Sequence, residues 1–303
     1  MPTAIDIKGL TKVYPGGLQA LSGIDLLVDE GAFFGLLGPN GAGKSTTIGI
    51  LCSLVNKTQG KVKIMGIDID QNWSKAKQFL GVVPQEFNFN IFESCLQIVV
   101  NQAGFYGIPK RIAEGRAEEL FTSLEMWDKR HMQARTLSGG FKRRLMIARG
   151  LIHKPKVLIL DEPTAGVDIS LRRSMWTFLE SLNKEGYTII LTTHYLEEAE
   201  SLCERIAIID KGRIIEDGMT STLLQKLSSE VVIMYCKSLP TTLPILPGTI
   251  FLRIDHTTLE VELTKQNSLT DVITFLSQHQ IEVDRMKNKS NRLEELFMKL
   301  VKS

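Results

Sequence analysis

The stretch GPNGAGKST, residues 38–46, constrains this chain more than any other. An apolar run at 32–37, of the kind that fills a buried strand, leads into it, and residues 45–55 after it suit a helix. A strand running through a glycine loop into a helix is the opening of a parallel α/β unit. Gly38, Gly43, Lys44 and Ser45 occupy the fixed places of G-x-x-x-x-G-K-[ST], with Pro39, Asn40, Gly41, Ala42 and Thr46 completing the loop. Gly38, Gly41 and Gly43 let successive N–H groups turn inward, and the helix starting near Lys44 adds its positive end. Lys44 offers a point charge to the outer phosphates and Ser45 a hydroxyl to Mg²⁺. The bland alternative, a glycine-rich turn with an accidental lysine, does not account for the strand before it and the helix after.

Two further apolar runs read as buried parallel strands, KVLILDEP at 156–163 and YTIILTTH at 187–194. The first ends on two carboxylates at the strand edge where parallel α/β sheets bind ligands. Asp161 would hold Mg²⁺, directly or through water, and Glu162 would polarise an attacking water. AIDIKGL at 4–10 and GIDLLVD at 23–29 read as strands joined by a YPGG turn, and RIAIIDKGRIIEDG at 205–218 as two strands turning at Lys211-Gly212. Residues 86–135 are rich in helical pattern and carry no buried-strand run. After about 220, alternating stretches (VVIMYC, TIFLRI, LEVEL) precede two helical ones, with a proline-containing loop at 238–249.

Composition removes some classes of function. The chain has 303 residues and a formal net charge of +2, which offers no case for a nucleic-acid partner. Cys52, Cys95, Cys203 and Cys236 are widely spaced, with no CxxC, and are expected to be reduced and mostly buried thiols of a cytosolic protein. The opening MPTAIDIKGLTKVY lacks a signal-peptide core, and no window approaches ~18 apolar residues. Any role at a membrane is therefore expected to come through a partner.

Taken with LSGG at 137–140, about 20 residues before the second acidic motif, these pieces resemble the ATP-binding subunit of an ABC transporter over residues 4–220. The resemblance implies a P-loop NTPase cassette of α/β class: a RecA-like core, an antiparallel β edge and a helical subdomain at about 86–150. Residues 1–220 would form this domain and 221–303 a small α+β accessory domain. It also implies ATP and Mg²⁺ as ligands. Gln85 in GVVPQEF matches the family's Q-loop glutamine, which also reaches the metal. Asp168 in AGVD matches the D-loop, His194 the switch histidine, and Tyr14 the aromatic ring stacked on adenine. Alone, Gln85, Tyr14 and His194 would read as ordinary polar or packing residues.

Ser138, Gly139 and Gly140 would begin a helix continuing FKRRLMIARGLI, with Leu145, Ile147, Ala148, Leu151 and Ile152 on a buried face. A helix start with bare N–H groups is a second phosphate-binding element. In the family it meets the γ-phosphate held by another subunit, so two chains pair head to tail around two ATP molecules as a homodimer. Lys142, Arg143 and Arg144 would neutralise phosphate, pair with acids, or face solvent. Phe141 departs from the family's usual glutamine at that place.

NRLEELFMKLV at 291–301 resembles the closing helix of type-two exporter ATPases, and equally fits a generic amphipathic helix. The expected function is the ATP-hydrolysing motor of a bacterial exporter, peripheral on the cytoplasmic face of the inner membrane and coupled to an integral membrane permease. The aromatic segment EFNFNIFES, with Phe87, Phe89 and Phe92, is a candidate contact for that permease or an internal cluster. The alternative class is a soluble ABC ATPase acting on ribosomes or DNA. Such chains carry two cassettes or a long inserted coiled coil, and this one has a single cassette and no sustained heptads. An importer ATPase with a longer β-rich tail is a third option.

Overall fold

Two long antiparallel strands, β1 (Thr3–Val13) and β2 (Gln19–Asp29), begin the chain and outrun the stretches expected from sequence. They absorb several register shifts on the way, which lets the polar residues at their ends join the ladder. The chain then enters β3 (Phe33–Leu37), buried at every position, and α1 (Lys44–Leu51). The helix stops four residues short of the expected 55. Ser53 turns left-handed at φ 56°, and the Leu54 and Val55 amides both donate back to the Gly49 carbonyl, which closes the last turn. Strands β4 (Gln59–Ile64) and β5 (Ile67–Asp68) complete an antiparallel sheet of order β2-β1-β4-β5. Described throughout is a computed structural model covering residues 2–164, 167–225, 229–264, 267–289 and 292–301.

The central sheet is built around β3. After α2 (Ile69–Ala76) come β6 (Leu80–Val83), three helices, and then β7 (Val157–Asp161) and β8 (Thr188–Thr193). Next come β9 (Arg205–Asp210) and β10 (Arg213–Met219), joined by a two-residue turn at Lys211 and Gly212, both at positive φ. The order is β10-β9-β3-β8-β7-β6. The pairs β9·β3, β3·β8, β8·β7 and β7·β6 are all parallel. Leu37 lies opposite Thr193, Thr192 opposite Asp161, and Leu160 opposite Val83. The four strands therefore end nearly level, and whatever follows them emerges side by side on one edge.

Between β6 and β7 stand α3 (Cys95–Gly104), α4 (Lys110–Ser123) and α5 (Gly139–Leu151). Ser94 starts α3 with a reciprocal capping box to Gln97. In α5 the expected apolar face is fully covered, and Met146, Arg143 and Arg144 are covered too, so the helix is packed nearly all round. Helices α6 (Ile169–Lys184) and α7 (Leu196–Leu202) flank β8 in sequence.

The chain divides into two compact units, residues 1–218 and 219–303. The second holds α8 (Thr220–Leu224), β11 (Ser229–Cys236), β12 (Thr249–Arg253), β13 (Thr258–Thr264), α9 (Leu269–Gln278), β14 (Val283–Asn288) and α10 (Arg292–Val301). Its four strands form an antiparallel sheet, β12-β13-β11-β14, with Val272 and Leu276 of α9 packed against Val232, Met234, Leu259 and Val261. Strand β14 was not expected from sequence. VDRMKN has only two apolar residues, and an edge strand needs no buried run.

One half-buried histidine makes the first unit sensitive to acid. The His153 ring stacks on Tyr106 with centroids 3.7 Å apart and donates from Nε2 to the Leu80 carbonyl at 2.9 Å. Its Nδ1 is buried without a partner among the described residues. Burial pushes this imidazole down to about 4. A folded-state value below the unfolded ~6.5 means that the folded chain resists a proton the unfolded chain accepts. The contribution is intact above about pH 6.5 and is lost as pH falls towards 4. Urea midpoints are therefore expected to fall from pH 7.5 to pH 5, and His153→Gln to narrow that fall. An undiminished fall in the variant would remove His153 as its source.

Candidate active site

The loop from Gly38 to Gly43 is shaped by close contacts with its neighbours. A Cβ on Gly38 would collide with the Ile209 carbonyl of β9. Gly43, at φ 115°, would place one 2.9 Å from the Ala20 carbonyl. Ala42, Gly43 and Lys44 are buried, while Asn40, Gly41 and Ser45 reach the surface. The Lys44 ammonium sits inside the turn, donating to the Gly38 carbonyl at 2.7 Å and the Pro39 carbonyl at 3.1 Å. Burial lowers its proton affinity, and the charges of Glu162 and Asp161 act in the opposite sense. Both acids are thus close enough to the loop for their charges to be felt at its lysine. The Tyr14 hydroxyl lies 3.3 Å from Thr46 Oγ1 at the start of α1, so the structure brings Tyr14 to the loop.

On the same edge, three adjacent strands deliver Gln85, Glu162 and His194 to one another. Gln85 Nε2 donates to Glu162 Oε2 at 3.0 Å, and His194 Nδ1 lies 3.2 Å from Glu162 Oε1. The Glu162 side chain is 12% exposed and that of His194 47%. Glu162 takes φ 47°, a strained position for a residue with a Cβ, costing on the order of 1–3 kcal/mol. Its amide donates to the Thr192 carbonyl at 2.9 Å, which fixes the turn. The Thr192 hydroxyl donates to Asp161 Oδ1 and so orients that carboxylate. Thr192 was missed in the sequence reading; its signal was a polar pair, TT, closing a buried strand just before the histidine.

Asp161, Gln85 and Ser45 offer carboxylate, amide and hydroxyl oxygens, hard donors of the kind Mg²⁺ takes alongside substrate phosphates. Among the described residues no cluster of three His, Cys, Asp or Glu forms a self-sufficient metal cage. The donor set fits a Mg²⁺ held jointly with phosphate.

Ser138, Gly139 and Gly140 are not joined to this edge by any hydrogen bond among the described residues. Ser138 caps α5, its hydroxyl accepting from the Phe141 amide at 3.5 Å. Space around Gly139 is open, whereas a Cβ on Gly140 would collide with the Leu171 side chain of α6. Asp168 caps α6: it accepts from the Leu171 amide at 2.9 Å and the Ser170 hydroxyl at 2.7 Å, and these bonds hold its carboxyl below the usual range. Ala165 and Gly166 lie outside the described residues.

The three cations after the glycines take different roles. Arg143 is 3% exposed and forks onto the carbonyls of Pro84 and Gln85 at 2.9 and 3.0 Å, with Phe87 beneath its guanidinium. Arg144 reaches the Leu124 carbonyl, Glu125 and Ser174. Neither faces solvent: Arg144 pairs with an acid, one of the expected readings, Arg143 binds backbone carbonyls, and only Lys142 keeps all the readings open. The ring of Phe141 lies between Lys129 and Arg144. A cavity of about 580 Å³, lined by Arg116, Glu125, Arg144, Phe178 and Tyr187 among others, opens elsewhere in this unit and contains none of the expected site residues.

The Arg143 fork leads to a direct test. Arg143→Ala leaves two carbonyls unpaired on either side of Gln85 and is expected to loosen that segment, costing about 1–3 kcal/mol. Cleavage after Glu86 by a glutamate-specific protease should accelerate. Unaltered cleavage at unaltered stability would show that the fork does not order this segment.

Comparison with known proteins agrees with the geometry. The sequence pattern of the ABC transporter family matches residues 21–165. The linearmycin resistance ATP-binding protein LnrL of Bacillus subtilis is 38% identical over 229 residues, 76% of this chain and 73% of that one. The Nod factor export ATP-binding protein I of Cupriavidus pinatubonensis is 37% identical, covering 78% and 73%. The daunorubicin/doxorubicin resistance ATP-binding protein DrrA of Streptomyces peucetius is 38% identical, covering 76% and 69%. Among solved structures, a dimeric ATP-binding cassette in a post-hydrolysis state with ADP and phosphate is similar at TM-score 0.66 and 28% identity, over 71% of this chain and 98% of that one. With relatives of this similarity over more than two thirds of their length, and with the phosphate loop and acidic strand end in place, the chain belongs to the ABC transporter family, as one of its ATP-binding, ATP-hydrolysing subunits.

Proposed function

We propose that this subunit is the motor of a bacterial exporter in which residues 1–220 bind and hydrolyse ATP and 221–303 serve as an accessory domain. The observation that carries the reading is the Glu162 carboxylate held between Gln85 and His194 beside the phosphate loop. Gly38 to Gly43 and the N-terminus of α1 cradle the phosphates, and Lys44 leaves its two loop carbonyls for phosphate oxygens. Tyr14 borders the base. Glu162 accepts the proton of the attacking water, and His194 orients that water and the γ-phosphate. Ser45, Asp161 and Gln85 would hold Mg²⁺, which supplies charge neutralisation when bound. Relatives named for export of Nod factor and for drug resistance support export over import, and over action on ribosomes or DNA.

A two-chain arrangement accounts for the second phosphate element. Ser138, Gly139, Gly140 and Asp168 complete the site across a homodimer, each chain closing on the nucleotide of the other. No helix among the described residues is long and apolar enough to cross a membrane. A separate permease would therefore carry the substrate path, with this subunit peripheral at the cytoplasmic face and no nucleic-acid partner. Phe87, Ile91 and Phe92 are 42%, 44% and 63% exposed just after Gln85. That apolar patch supports a docking role for the segment.

Two variants test the reading. Lys44→Ala removes the loop's cation and is expected to abolish useful ATP binding; near-normal affinity would reject the phosphate-loop role. Glu162→Gln keeps the shape but cannot accept the water's proton, so ATP should be retained and trap a dimer, seen by light scattering at high protein concentration and low salt. Adding Ser138→Arg should undo the trap. A Glu162→Gln chain that stays monomeric with ATP bound would refute the shared site.

A further inference from the structure

Glu198, in α7, is fully buried, and the hydrolytic reading gives it no task. Trp176 Nε1 of α6 donates to its Oε1 at 3.1 Å. Thr193, Thr164 and Arg172 lie close enough for their polar groups to act on the carboxylate, while Oε2 and the Thr164 hydroxyl are buried without a hydrogen-bond partner among the described residues. Both threonines are themselves buried, at 1% and 0% exposure. An apolar side chain of similar shape would fill this space without the cost of desolvating a carboxylate. The surroundings are instead polar and drawn from three separate segments, each adjoining the active site.

The positions of those donors point to the function. Thr193 and Tyr195 flank His194. The Thr193 hydroxyl accepts from the Tyr195 amide at 3.0 Å, which leaves its own proton to donate towards Glu198. The Glu198 amide in turn donates to the Tyr195 carbonyl at 3.0 Å. The His194 ring lies against the Tyr195 ring at 4.1 Å, and Arg172 covers that same ring at 4.5 Å. Thr164 follows Glu162 by two residues and opens the segment that ends at Asp168, the cap of α6. A single carboxylate thus stands where the turn carrying His194 meets the turn carrying Glu162. Donation from the Trp176 N–H to a carboxylate is charge-assisted, and in a water-excluded pocket it is directional and stiff.

We propose that Glu198 is a positioning residue for ATP hydrolysis: its carboxylate, held by the Trp176 N–H of α6 beside Thr193 and Thr164, and its amide, bonded to the Tyr195 carbonyl, anchor the turn that carries His194. It touches neither water nor phosphate. The proposal rests on the reading of Glu162 and His194 as the hydrolytic pair. Burial raises the carboxyl's proton affinity, and the neighbouring polar groups oppose the rise.

The test uses the full chain with Mg²⁺ and ATP, comparing Glu198→Leu, Glu198→Gln and Thr193→Val with Glu162→Gln and His194→Ala as controls. A ring displaced by about 1 Å costs on the order of 100-fold in rate. Glu198→Leu and Thr193→Val are expected to lose about 10- to 100-fold in kcat with KM for ATP within about twofold. Glu198→Gln retains the acceptor and should recover most of the rate. Spectra of chains labelled at histidine give a readout independent of turnover. The His194 ring signals, assigned by their loss in His194→Ala, should shift or broaden in the Leu and Val variants, while His131, His153, His256 and His279 stay in place. If Glu198→Leu does not fold, Thr193→Val and the spectra decide. Unmoved His194 signals, unchanged kcat, a raised KM, or a Gln variant as impaired as the Leu variant would overturn the proposal. Full turnover in the two controls would instead overturn the hydrolytic reading beneath it.

Discussion

The level ending of four parallel strands governs this molecule. The ladder pairs Leu37 with Thr193, Thr192 with Asp161 and Leu160 with Val83. A shift of one residue in any pair would carry a functional side chain to the opposite face of the sheet. Strands β3, β7 and β8 are apolar along most of their length, and that burial makes the register hard to slip. Precision at the edge is thus inherited from the sheet. The strained backbone at Glu162 is bearable because its amide has a fixed carbonyl to meet on the neighbouring strand.

Helix α5 does for the helical part of the unit what the ladder does for the sheet. One of its arginines grips the carbonyls around Gln85, and the next grips Leu124, Glu125 and Ser174. The helix that begins at the second phosphate element is therefore fastened to the first site through Gln85, and to α6 through Ser174 and the close approach at Gly140. The nucleotide contact proposed at Ser138 would reach the Glu162 carboxylate through α5, the Arg143 fork and Gln85.

Much of this was legible in the chain because the chemistry of phosphate demands fixed residue types at fixed spacing. The loop 38–46 and the acids at 161 and 162 each adjoin a buried run, and buried runs declare strands; the glutamine at 85 and the histidine at 194 stand out only through the family resemblance. What escaped the sequence reading obeys local rules less. Arg143 and Arg144 lie in a run of cations that looks like a solvated face, and only the packed helix shows them buried. Thr192 is one threonine among several, and its value comes from lying opposite Asp161. Strand β14 has almost no apolar pattern, because it sits at an edge where one neighbour is enough. Glu198 reads as one of several acids in LEEAE, and nothing in its spacing announces a closed pocket.

The four cysteines have a practical consequence. None is in a disulfide; Cys95, Cys203 and Cys236 are buried, and Cys52 is half-buried. Desolvation raises every one of these thiols, Cys52 to about 12 and Cys95 to about 11. A thiol that stays protonated at neutral pH is a poor nucleophile towards maleimides and disulfides. The native chain therefore provides a quiet background for site-directed labelling. A cysteine introduced at an exposed position, beside Ser45 or near Phe92, would carry a fluorophore or spin probe almost alone, so the proposed pairing of two subunits can be followed without first stripping the protein of its own sulfur.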